Sequence, residues 1–100
     1  MRNRDLRPTA KANPTIQQAF ERFQKYNRLK NLSQGSLDFY AAKGRSFFRF
    51  LGDTEQPIQT ITEETVEDYI FYMKDHQLHD TTINTNLRMV RAFLYWCMEK

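Results

Sequence analysis

Few side chains in this sequence are able to do chemistry, and their spacing decides between catalysis and binding. Asp75-His76-Gln77-Leu78-His79-Asp80 gathers two imidazoles and two carboxylates, residue types that ligate metals. The two histidines stand three apart in a predicted turn without further ligands, so the segment reads as a solvated connection and no metal site is expected. Cys97 is the single cysteine, which excludes an internal disulfide and a CxxC zinc pair. It falls on an apolar helical stripe, where a thiol acts as a small packing group rather than a nucleophile. Three glycines, at 35, 44 and 52, cannot write a phosphate-cradling loop or a dinucleotide fingerprint, so nucleotide hydrolysis is not expected and no cofactor is implied. Tyr26, Tyr40 and Tyr69 lie on inward stripes, and no tyrosine stands beside an Arg/His cluster. No catalytic residue can be assigned, and the chain is not expected to be an enzyme.

What remains is a surface of cations and short polar side chains. Thr81, Thr82, Asn84, Thr85 and Arg88 begin one predicted helix, with Arg91 at its flank. Such groups near a helix N-terminus can bond phosphate oxygens or reach base edges in a major groove. Lys43, Arg45 and Arg49 form a mostly cationic strip on another helix and can add phosphate contacts. The net charge of +3 conceals a strong partition: residues 1 to 52 carry eleven Lys and Arg against three acids, or +8. Residues 53 to 80 carry eight acids against Lys74 alone, or −7, and residues 81 to 100 return +2. If the acidic segment folds away from the two basic ones, one positive face results, as expected of a partner for the DNA backbone.

The elements that must position these groups are helical. One hundred residues, 40% hydrophobic and 27% charged, suffice for one domain with one core. Residues 1 to 14 alternate basic and small polar types around Pro8 and Pro14 and read as a flexible basic arm, leaving 15 to 100 as the domain. Thr15 and Gln18 form a capping box for a first helix carrying Ile16, Ala19, Phe20, Phe23 and Tyr26 inward to about residue 30. Ser33 or Ser36 caps a second helix, with Leu37, Tyr40, Ala41, Phe47, Phe48 and Leu51 inward and Gly52 at its end. Gly44 falls within that apolar stripe at a cost of about 1 kcal/mol in helix propensity, which predicts a close helix crossing there.

Pro57 breaks a polar connection, and Thr62 caps a third helix between Ile61 and Val66, with Tyr69, Ile70 and Met73 inward. A fourth helix from about Thr81 carries Ile83, Leu87, Val90, Leu94 and Cys97 inward. No strand-like alternation is present, so the expected fold is all-α, a compact four-helix orthogonal bundle. No apolar run reaches the roughly 20 residues of a bilayer span and no signal core opens the chain, which predicts a soluble, cytoplasmic protein without membrane partners.

Ser33-x-x-Ser36-x-x-x-Tyr40 followed by Phe47-Phe48-Arg49-Phe50-Leu51 resembles the second helix of the core-binding domain of tyrosine recombinases, the SAM-like N-terminal domain of phage and transposon integrases. Ile58-Gln59-Thr60-Ile61-Thr62 with Val66 and Tyr69-Ile70 looks like that family's third helix, and Thr82-Ile83-Asn84-x-x-Leu87-x-x-Val90-Arg91-x-Phe93 like its fourth. The likeness runs over about residues 15 to 100 and departs at Gly44, where the family usually has leucine. It implies a domain that clamps one side of a recombination-site duplex for DNA integration or excision, with helices two and four against the DNA. Thr82 and Asn84 match the family's fourth-helix threonine and asparagine, and Arg88 and Arg91 stand where basic residues are common. The implied partners are double-stranded DNA, a C-terminal catalytic domain beyond Lys100 and other recombinase protomers. A second reading is a SAM-like protein-interaction domain docking through Phe39, Phe50, Phe71, Tyr72 and Trp96, aromatics outside the narrow apolar stripes.

Overall fold

A computed structural model describes residues 14–99, and the expected basic arm lies almost wholly outside them. The described residues form α1 (Ile16–Leu29), α2 (Gln34–Leu51), a 3-10 turn (Ile58–Thr60), α3 (Glu63–Asp75) and α4 (Asp80–Glu99). Each boundary has a local cause. Thr15 Oγ1 accepts from Gln18 N while Gln18 Oε1 accepts from Thr15 N, both at 3.1 Å, closing the predicted box. Of the two candidate serines, Ser33 caps α2 by accepting from Ser36 N. Gly52 ends α2 at φ +81°, a backbone region that L side chains rarely adopt. Thr62 and Thr65 cap α3 reciprocally, and Glu63 and Glu64 occupy the positive end of its dipole.

The core forms where α1 inserts its aromatic stripe between α2 and α4, the most extensively packed helix pair. Phe20 meets the rings of Phe48 and Phe93 edge-on, each at 5.2 Å, and Phe23 packs on Phe93 at 5.4 Å and Trp96 at 5.7 Å. Such pairs contribute about 0.5–1.5 kcal/mol each beyond their buried area. Tyr69 and Met73 bring α3 onto the same cluster from beside Phe47. The polar connection after α2 is tied to the start of α1, where Ile16 N and Gln17 N donate to Gln56 O and Thr54 O, while Ile58 N donates to Pro14 O. These bonds satisfy amides that a helix N-terminus leaves without intrahelical partners.

Several expectations shift in detail. The fourth helix begins at Asp80, one residue before the predicted start. Met89 is fully buried although it lay outside the predicted stripe, because α4 is covered by α1 and α2 over a wide arc. Phe39, Phe50, Tyr72 and Trp96 are packed against the core, and of that aromatic set Phe71 alone stands well exposed.

Gly44 confirms the predicted close crossing: a Cβ there would lie 2.6 Å from Phe20 Cζ and 3.0 Å from Cε2. The ring is packed against Phe23, Phe48 and Phe93, so moving it aside disturbs the core. Gly44→Ala therefore sets an overpacking cost of about 1–3 kcal/mol against a helix-propensity gain of about 1 kcal/mol. We expect urea denaturation to show net destabilisation, and Phe20→Leu to remove most of the penalty when the two changes are combined.

Candidate functional site

A cleft of about 290 Å³ opens between α2, the end of α3 and the first turns of α4. Helix α2 contributes Lys43, Ser46 and Arg49, whose three-residue spacing keeps them on one strip. Helix α3 contributes Tyr69, Tyr72, Met73 and His76, and α4 contributes Thr82 and Asn86. No carboxylate of the described residues lines it. Lys43 Nζ lies 5.7 Å from the Phe39 ring centroid, a cation–π contact that leaves its charge unneutralised. Among the described residues none of Lys43, Arg45, Arg49, Arg88 and Arg91 is held in an ion pair.

The other polar groups of the cleft are held by burial or by hydrogen bonds. Tyr69 is almost fully buried, and desolvation together with the neighbouring Tyr72 pushes its phenol up to about 12, against the opposing pull of Arg49. It stays protonated near neutral pH and presents an O–H donor. His76 places Nδ1 2.8 Å from Tyr72 O and packs its ring on Tyr72 at 4.3 Å. Asn86 is buried, its Nδ2 donates to Met73 Sδ at 3.3 Å, and its Oδ1 has no partner. A thioether is a weak acceptor, so this amide is underused for its degree of burial.

The predicted site residues fall into three groups. Lys43, Arg49 and Thr82 converge in the cleft. Thr81, Asn84 and Arg88 are exposed along α4 at three- and four-residue intervals, and Thr85 is half-buried with its hydroxyl donating to Thr82 O at 2.9 Å. That bond consumes its donor, leaving Thr85 only acceptor capacity. Arg45 is exposed on α2 outside the cleft. Arg91 continues the α4 strip but borders a second, apolar groove of about 770 Å³ with Glu63 and Glu67 on its margin. Two of the α3 carboxylates, Glu63 and Glu67, thus stand beside that groove, and none lines the cleft.

Two cleft residues escaped the sequence reading. His76 caps the end of α3 four residues beyond Tyr72; it is exposed, as the solvated connection predicted, yet its ring lies on Tyr72 at the mouth of the cleft. Asn86 occupies the core register of α4 three residues after Ile83, and a polar residue at an apolar position was its available signal. No group of three or more His, Cys, Asp or Glu side chains converges as a metal site among the described residues. None of their helices is long and apolar enough to cross a membrane.

Four helices closed over one aromatic core, with cations on α2 and α4 outside any ion pair among the described residues, define a small all-α domain. Residues 20–100 match the family model of the phage integrase N-terminal SAM-like domain, and the chain belongs to that family. Comparisons with curated proteins and with solved structures returned no match. Only the N-terminal domain of integrases is recognised in the chain, with no catalytic domain beside it.

Cys97 tests the reading that it is a packing group. Burial pushes its thiol up to about 11, so the reactive thiolate is scarce at neutral pH. Alkylation by iodoacetamide at pH 8 should be slower than for a free cysteine, with the rate climbing until the pH passes about 11. Rapid labelling at pH 7 would contradict this assignment.

Proposed function

We propose that the chain is the module by which an integrase-type tyrosine recombinase grips the duplex of its core recombination site, presenting α2 and α4 to the DNA. The observation that carries this reading is the convergence of unpaired Lys43 and Arg49 with Thr82 in a cleft free of carboxylates. Lys43, Arg45 and Arg49 would neutralise phosphates, and Arg88 and Arg91 would extend the contact along α4. Thr81, Thr82, Asn84 and Thr85 would supply uncharged hydrogen bonds to backbone or base edges. In this role the domain performs no chemistry; strand exchange belongs to a catalytic domain in the parent protein, acting with other protomers on the same DNA. A cytoplasmic setting agrees with the free thiol of Cys97.

A protein-docking role finds support only in the apolar groove between α3 and the end of α4, where Tyr95 and Met98 are exposed. Self-association that survives high salt, seen by sedimentation, together with no duplex affinity at low salt, would favour it.

Duplex binding should fall by about 0.9 log units per log unit of salt for each phosphate neutralised. The double variant Lys43→Ala, Arg88→Ala should keep its thermal unfolding midpoint, bind a short duplex more weakly at about 50 mM salt and show a slope shallower by about 2. Binding equal to that of the parent would show that α2 and α4 do not face DNA.

A further inference from the structure

We infer that His76 makes the cleft a proton-coupled seat for a phosphate oxyanion, gripping more tightly as the pH falls. The inference rests on the DNA-binding reading and adds a regulated anchor point within it. The cleft walls bring Lys43 and Arg49 from α2 to the same opening as the His76 ring at the end of α3. Two fixed cations attract an oxyanion, and Ser46 and Thr82 offer hydroxyl donors beside them.

The imidazole is oriented for a conditional role. With Nδ1 donating to Tyr72 O at 2.8 Å, the neutral ring leaves Nε2 as an acceptor, which repels an anion. Protonation turns Nε2 into a charged donor and adds a third positive charge to the opening. Conversely, an anion seated between Lys43 and Arg49 offsets the repulsion that those cations exert on an imidazolium, so binding favours proton uptake. Reciprocity then requires the proton to favour binding. The other titratable groups facing the ring are Tyr69 and Tyr72 of α3, and Tyr69 stays neutral up to about 12. Helix α4 contributes Thr82 and Asn86, neither of which titrates. Lys74, Asp75, His79 and Asp80 are neighbours in sequence but do not line the cleft.

The sign is fixed by the charge. A protonated imidazole adds a charged donor, so the added affinity belongs to the lower pH and is lost as the pH rises. Sulfate is a suitable probe because it does not itself titrate in that range. Binding of sulfate and of a short duplex should be measured at pH 6 and pH 8, with chloride matching the ionic strength. The parent should bind both about five- to tenfold more tightly at pH 6, the low end of typical coupling for a solvent-accessible group. His76→Gln should lose most of that ratio, whereas His79→Gln should retain it. In the unsubstituted protein, sulfate added at about pH 6.5 should move the His76 ring signals toward the protonated form and leave those of His79 in place.

An unchanged pH ratio in His76→Gln, or ring signals indifferent to sulfate, would overturn the inference while duplex binding at pH 8 still stood. Proton-coupled sulfate binding without any duplex affinity at low salt would instead overturn the DNA reading and leave the oxyanion seat.

Discussion

The contact on which this small domain depends is the one between the Phe20 ring and the bare backbone at Gly44. A Cβ on α2 at this point would lie 2.6 Å from the ring, so any side chain there requires the ring or α1 to shift. With α1 displaced, Phe20 and Phe23 could not reach Phe93, and α4 would lose the aromatic cluster that fixes its rotation. The rotation of α4 sets which of its residues face the cleft and which face solvent. A helix-destabilising residue therefore stands where α1 and α2 need one atom of clearance.

The cleft follows from the same packing. Helix α3 joins the bundle through Tyr69 and Met73, and the ring of Tyr69 lies within 5.0 Å of both Phe47 and Phe50. That places the last turn of α3 beside the cationic strip of α2, while the acidic first turns of the same helix border the apolar groove. A single helix with acids at its start and an imidazole at its end thereby separates the electrostatics of the two cavities. Of the acidic segment, Glu63 and Glu67 fall on the groove and none on the cleft.

The helices were legible because their signals are local. The Thr15 box, the Ser33 cap, the Thr62 cap and Gly52 each act within a few residues, and each is found where the spacing put it. The crossing at Gly44 was legible for a related reason: a glycine inside an apolar stripe has few physical explanations. The site was legible in its cations but not in its walls. Lys43, Arg49 and Thr82 announce themselves by type, whereas His76 and Asn86 acquire meaning only when α3 and α4 meet α2, a fact of tertiary packing. Met89 was missed similarly, since a narrow stripe understates a helix covered by two neighbours.

The ties between the 53–60 connection and the start of α1 bear on how the chain matures as it is made. The first amides of α1 find their carbonyls on Thr54 and Gln56, and its two phenylalanines find their rings on Phe93 and Trp96. Helix α1 thus has partners on the adjacent α2, in the 53–60 connection and at the end of α4. Helix α2 can cover part of its apolar stripe through Tyr40 and Phe48, and the part that meets Phe93 and Trp96 stays open until α4 is present. The aromatic core that joins α1, α2 and α4 is complete only with α4 in place.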